Sequence, residues 1–170
     1  MVRLTRADAG RRLAPALGPM VKETPAVVAL SPGGVRVARE IAGVYGAPLD
    51  VRACLRLEVP GRANSTFGAV ADGATILVPD RLRSLQLPEE YVQGLVEITR
   101  READGIARAW RDGVPALDLA GRIVLLVDDG LSDAVMVAVA AHSLREAGAR
   151  RLIYMAPVAT PELWAALSDY

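Results

Sequence analysis

The residues best suited to chemistry stand where two apolar runs stop. Ile123-Val124-Leu125-Leu126-Val127 ends in Asp128-Asp129-Gly130-Leu131-Ser132, and Ala26-Val27-Val28-Ala29-Leu30 ends in Ser31-Pro32-Gly33-Gly34. A short continuous apolar run fits a strand buried on both faces, as in a parallel sheet. Open α/β sheets bind ligands beyond the carboxyl ends of such strands. Both runs lead into helical patterns, and the free N–H groups and positive dipole end of a helix start suit anions. Two adjacent carboxylates at such a place can accept hydrogen bonds from sugar hydroxyls. They can also balance charge on a cationic or metal-bound intermediate. Plainer roles stand beside these: aspartate ends strands and caps helices, Gly33-Gly34 makes a tight turn, and Ser132 reads as the N-cap of the next helix rather than a nucleophile.

The remaining candidates carry less. His142 is the single histidine and falls inside a helical pattern, which leaves Ser132 without a base and makes His142 a surface or packing residue. Cys54 lies in an apolar strand and reads as a small buried hydrophobe. Trp110 and Trp164 read as packing residues on helix faces, and Arg100-Arg101 and Arg150-Arg151 as solvated pairs. No ligand cluster with metal spacing is present, so no metal site is assigned to the side chains.

The elements that must position the two strand ends follow from pattern. A helix is expected from Arg6 to Met20, weakened by Pro15 and Gly18, and a second from Val35 to Tyr45 with Gly46 as its stop. Leu49 to Val59 reads as one strand and Pro60 to Ser65 as a polar loop. Thr66 to Val70 and Thr75 to Val78 read as a hairpin turning at Asp72-Gly73. Pro88 opens a long helix through Trp110, with Glu89 and Glu90 favourable against its dipole and Gly105 a weak point. Asp112 to Gly121 is a linker. A helix spans about Ser132 to Ala147, a strand Leu152 to Ala156, and a last helix opens at Thr160-Pro161-Glu162. Alternating strands and helices imply a doubly wound, mostly parallel sheet.

Composition narrows the class. Hydrophobic residues make up 52% of the 170, enough for a packed interior in one domain, taken as residues 1–170. Lys plus Arg and Asp plus Glu both number 20, which argues against a nucleic-acid surface, and aromatics at 4% are too few for a base-stacking platform. The lone cysteine rules out an internal disulfide. No apolar run spans a bilayer and no secretion signal is seen, so a cytoplasmic location is expected.

The run Ile123 to Gly130 resembles the signature of type I phosphoribosyltransferases. Similar, too, are the order of the elements, Pro60-Gly61, Gly68-Ala69-Val70, Asp118 to Arg122 and Ala156-Pro157-Val158-Ala159, so that the likeness runs from about Arg6 to Leu167. It implies an α/β fold of the type I phosphoribosyltransferase kind, with a central, mostly parallel sheet flanked by helices and a small hood near Pro60 to Val78. It further implies that Asp128 and Asp129 are the catalytic pair, binding the ribose hydroxyls of 5-phosphoribosyl 1-pyrophosphate. Gly130, Leu131, Ser132, Asp133, Ala134, Val135 and Met136 would cradle the 5′-phosphate. Ser31, Pro32, Gly33 and Gly34 would face the pyrophosphate, with Arg56 as a nearby cation, while Pro60 to Thr66 would form a mobile flap. Mg²⁺ would arrive on the diphosphate. Partners would be a sugar phosphate or nucleoside and, by family likeness, a second copy in a homodimer, with no nucleic acid and no membrane. A further terminal element is expected by the same likeness.

The departures from the pattern are specific. Where the family carries Thr-Gly-x-Thr, this chain has Asp133, Ala134, Val135 and Met136, and where the subgroup reads Pro-Arg-Gly-Gly it reads Ser31-Pro32-Gly33-Gly34. Asp133 sets a negative charge where a phosphate would sit, a repulsion on the order of several kcal/mol. Pro32 replaces an arginine and removes a backbone donor. Three expectations follow: transfer of a phosphoribosyl group from 5-phosphoribosyl 1-pyrophosphate to a nitrogenous acceptor, with activity impaired by the altered loops; a non-catalytic ligand-sensing or interaction module; or a phosphate-poor ligand, a nucleoside or free sugar, at the same strand ends.

Overall fold

The structure is a computed structural model that describes residues 5–18, 21–63 and 65–167. Thr5 starts the first helix, α1 (Arg6–Leu13), through a capping box in which its hydroxyl accepts from the Asp8 amide and the Asp8 carboxylate accepts from the Thr5 amide. Pro15 cannot extend the N–H ladder, so the chain tightens into a 3-10 turn at Ala14–Leu17 and the helix expected through Met20 is shorter. Met20 itself lies outside the described residues.

Strand β1 (Ala26–Ala29) leads into helix α2 (Pro32–Tyr45), which starts earlier than the apolar spacing indicates. Ser31 is its N-cap, accepting from the Gly34 amide at 2.9 Å, and Pro32 is its first residue. The segment expected as a turn is therefore a cap and a first helical turn. The expected strand from Leu49 to Val59 divides into β2 (Leu49–Val51) and β3 (Leu55–Leu57), with Arg52 to Cys54 carrying the chain from one sheet to another. Strands β4 (Gly68–Ala71) and β5 (Ala74–Leu77) form the expected hairpin, closed by Gly73 at φ +75°. A short helix, α3 (Pro79–Leu85), precedes the long α4 (Glu89–Arg111), which runs unbroken through Gly105. Then come β6 (Ile123–Val127), α5 (Ala134–Glu146), β7 (Arg151–Met155) and α6 (Pro161–Leu167).

The main sheet has the order β2-β1-β6-β7, all parallel, and β3-β4-β5 form a separate antiparallel sheet. Period-two alternation assigns the faces of the main sheet. Val27, Ala29, Leu125 and Val127 pack with Val37 and Ile41 of α2, while Ala26, Val28, Val124 and Leu126 pack with Val137, Ala140 and Leu144 of α5. Strand β4 lies over α5 through Ala69 and Ala71, and its other face, with Phe67 and Leu57, packs under α4 through Val92, Ala103 and Ala107. The small sheet is thus a hood fixed to the core through α5 and roofed by α4.

A buried charge cluster joins the hood to the main sheet. Asp50 of β2 accepts from Arg111 Nε at 2.7 Å, from its own neighbour Val51 N at 2.8 Å and from Leu117 N at 3.1 Å. Arg111, at the end of α4, also donates to the Val51 carbonyl at 2.8 Å, and Arg52 pairs with Asp72 in the β4–β5 turn. Removing one partner of a buried pair leaves an uncompensated charge. Asp50→Ala is expected to lower the unfolding free energy by about 3–5 kcal/mol, read from urea denaturation; a loss of under about 1 kcal/mol would show that the cluster does not hold the hood.

Candidate functional site

Because β1 and β6 are parallel neighbours, with Ala29 opposite Val127, their carboxyl ends release two loops side by side. The Leu30 amide continues the ladder onto the Val127 carbonyl at 2.9 Å, so Ser31 emerges beside Asp128. The Ser31 hydroxyl lies 3.2 Å from Asp128 Oδ1 and 3.4 Å from Asp129 Oδ1.

Asp128 is fully buried. Its Oδ2 accepts from the amides of Gly130 at 2.9 Å and Ser132 at 3.2 Å, and its Oδ1 accepts from the Ser132 hydroxyl at 2.9 Å. The Tyr154 hydroxyl of β7 reaches Oδ2 at 3.5 Å. Burial first, and the neighbouring Asp128 carboxyl second, push the Tyr154 hydroxyl pKa up, which keeps its proton in place as a donor. Gly130, at φ +89°, is required twice over, because a Cβ there would stand 2.5 Å from Val158 Cγ2 and 2.8 Å from the Val158 carbonyl oxygen.

Asp129 turns the other way. Its Oδ2 is 2.9 Å from both Nε and Nη2 of Arg6, which reaches over from the start of α1. The two groups meet directly above Gly33, where a Cβ would come within 1.8 Å of Asp129 Oδ2 and 2.8 Å of Arg6 Nε. Glycine at this position makes room for that ion pair.

Asp133, not Ser132, caps α5: its Oδ1 accepts from the Met136 amide at 3.0 Å. Its Oδ2 accepts from Arg56 Nε of the hood strand β3 at 2.6 Å. The hydroxyl of Ser132 is committed to Asp128, which leaves the cap to the next residue. Ala134 and Val135 pack towards the core under α5.

A cleft of about 510 Å³ opens between these loops and the hood. Ser31, Pro32, Gly33, Arg56, Asp129, Leu131, Ser132 and Met136 converge on it. Asp128 and Gly34 are enclosed behind its wall, and Gly130, Asp133 and Ala134 open onto a separate hollow beside Thr160 and Glu162. Sequence reasoning missed Arg6, Ile106 and Trp110 in the cleft wall. Arg6 lies 123 residues from Asp129 and gives no local signal. Ile106 and Trp110 share a helix face by their spacing, but that spacing does not tell a cleft from a core. Trp164, expected to pack, is 71% exposed. On the far side of Asp129 a second cleft of about 640 Å³ is lined by Arg6, Arg36, Leu131 and Val158 among others.

Among the described residues, no three His, Cys, Asp or Glu side chains converge to hold a metal ion. Asp129, the carboxylate on the cleft wall, is already paired with Arg6, so the chain's own donor set does not fit Mg²⁺. No described helix is long and apolar enough to cross a membrane.

A four-stranded parallel sheet, acidic residues at the end of its central strand and an antiparallel hood over the cleft together define the type I phosphoribosyltransferase fold. No family model matches the chain. Two curated proteins of Mycobacterium tuberculosis strains, each named "Putative phosphoribosyl transferase", are 33% identical to it over 171 residues, covering 97% of this chain and 38% of their own length. The chain therefore spans less than two-fifths of those relatives. The crystal structure of TT1426 from Thermus thermophilus superposes with a TM-score of 0.81 at 34% identity, covering 99% of this chain and 81% of that one. The purine phosphoribosyltransferase of Pyrococcus horikoshii shares the fold at a TM-score of 0.51 and 16% identity, covering 92% and 75%. This chain belongs to the type I phosphoribosyltransferase-like family.

Cys54 borders the cleft but is buried. Burial, with smaller contributions from Asp128 and Asp72, pushes its thiol from 9.0 up to about 12. The folded chain thus keeps this proton after the unfolded chain has released it. The associated stability is complete below pH 9.0 and is lost as pH rises toward 12. Urea unfolding should show stability falling above pH 9.0, with a shallower fall in Cys54→Ala; identical slopes in the two proteins would refute the assignment.

Proposed function

We propose that this domain binds a ribosyl compound in the cleft under the hood without engaging a 5′-phosphate at α5, and that it does not transfer phosphoribosyl groups from 5-phosphoribosyl 1-pyrophosphate. The observation that carries this reading is Asp133. Its carboxylate takes the α5 N-terminal amide and the Arg56 guanidinium, the two groups an incoming phosphate would need. A dianion entering there would displace an internal, already compensated anion and face its repulsion. The sugar side of the cleft is differently equipped: the Asp129 carboxylate offers acceptor oxygens to a diol, and Trp110, Ile106 and Met136 offer an apolar wall to a planar base.

The second reading is the family transferase. It is favoured by Asp129 at the end of the central strand and by the names of the relatives. In that reaction the bond from the anomeric carbon to pyrophosphate breaks, a bond to an acceptor nitrogen forms, and Asp129 steadies the positive charge on the ring. Mg²⁺ would be bound by the diphosphate and supply charge neutralisation there.

Calorimetric titration separates the two. The wild-type chain is expected to show no binding of 5-phosphoribosyl 1-pyrophosphate with Mg²⁺ up to millimolar donor. The four-site variant Pro32→Arg, Asp133→Thr, Ala134→Gly, Met136→Thr should gain measurable affinity, since threonine still caps α5 while Arg56 is freed. Micromolar binding by the wild type, abolished by Asp129→Asn, would establish the transferase reading instead.

A further inference from the structure

The charges around Asp129 are distributed unevenly. On the α5 side, Asp133 fills the helix N-terminus and pairs with the nearest cation. On the α1 side, the cleft of about 640 Å³ is lined by two arginines, Arg6 and Arg36, against the single carboxylate of Asp129. Arg6 uses Nε and Nη2 on Asp129, and its Nη1 donates to no described group. Arg36 is exposed and forms no ion pair with any described residue. The nearby α1 and α2 carboxylates Asp8 and Glu40 are both engaged by Arg11, at 2.7 Å and 2.9 Å.

An exposed, unpaired arginine alone is ordinary. What distinguishes this one is its company. Two guanidinium groups open into one concave space, beside the one cleft carboxylate that can meet a sugar, and the fold holds one of the two in place. Arg6 sits in the space above Gly33 that any side chain would fill, so its head group is positioned by the backbone of α2 as well as by Asp129. A phosphate in this cleft would meet a net positive wall and planar donors suited to its oxygens.

We infer that Arg6 and Arg36 form a phosphate subsite, and that the domain takes a pentose carrying a single phosphate, its sugar on Asp129 and its phosphate between α1 and α2, away from α5. This deepens the ribosyl reading above and rests on it for the sugar, whereas the arginine subsite can be probed without it.

The experiment is calorimetric titration of the intact chain with four probes: inorganic phosphate, free ribose, ribose 1-phosphate and ribose 5-phosphate. Wild type and Arg36→Ala are compared. Arg36 is exposed, so this variant should keep its fold, checked by an unchanged melting temperature. At least one sugar phosphate is expected to bind tenfold or more tightly than ribose, and Arg36→Ala should remove that advantage while leaving ribose affinity unchanged; the preferred isomer identifies the phosphorylated end. Sugar phosphates binding no better than a ribose that itself binds would overturn the subsite and leave the ribosyl reading standing, and silence from all four probes would overturn both. Phosphate binding lost in Arg36→Ala, with no response to ribose or either ester, would support the subsite and overturn the ribosyl reading. An advantage that survives Arg36→Ala would overturn the assignment of Arg36.

Discussion

The Asp128 carboxyl group ends the central strand at a point water does not reach. A buried polar group is tolerated only when its hydrogen bonds are made inside the protein. Here they come from three directions: the Ser31 hydroxyl beyond β1, the amides of Gly130 and Ser132 in its own loop, and the Tyr154 hydroxyl on β7. Satisfying this one side chain therefore fixes where the β1 loop stands, how the β6 loop curls and why Gly130 adopts a positive φ. It also sends the next side chain, Asp129, outward. The acidic pair is a division of labour, with Asp128 shaping the loops and Asp129 facing the cleft.

Compensation at Asp133 follows from the same geometry. With the Ser132 hydroxyl drawn to Asp128, the first free amides of α5 need another acceptor, and Asp133 supplies it. A carboxylate is favourable at a helix N-terminus. It is more favourable still with Arg56 beside it, a bond that also ties the hood to the core. Read without its partner, Asp133 is a defect in a phosphate loop. With its partner it is an internally compensated anion. On the proposed reading a ligand's charge is exchanged for one of the chain's own, and the Asp133–Arg56 pair links the hood to α5.

Most of the fold was legible because it depends on local pattern. The apolar runs at Ala26 and Ile123 read as doubly buried strands because a parallel sheet leaves no face polar, and the Asp72-Gly73 turn announced its hairpin. The misread boundaries share one cause, competition between neighbours that periodicity does not register. Pro32 reads as a breaker, yet behind a serine cap it is a good first helical residue. Leu49 to Val59 reads as one strand, yet the chain changes sheets at Arg52 to Cys54 because Asp50 and Arg52 are held by charges from α4 and the hood turn. The cleft residues Ser31 and Asp129 were legible from their strand ends, and Arg56, in the middle of β3, only through the family resemblance. Arg6 was not, since its role exists only once α1 is folded across Gly33.

The two faces of Asp129 give the site its direction. Toward the hood stand apolar groups, Trp110, Ile106 and Met136, with Arg56 already neutralised; toward α1 stand Arg6 and Arg36 with one carboxylate between them. A ligand lying across Asp129 thus meets an apolar wall on one side and positive charge on the other, and neither side welcomes an anion at α5. A molecule with phosphates at both ends of its sugar satisfies this gradient poorly, because one end must enter a place that Asp133 holds. A molecule with one charged end satisfies it in a single orientation. On the proposed reading, the electrostatics of these two loops, rather than the fold shared with relatives, select the ligand.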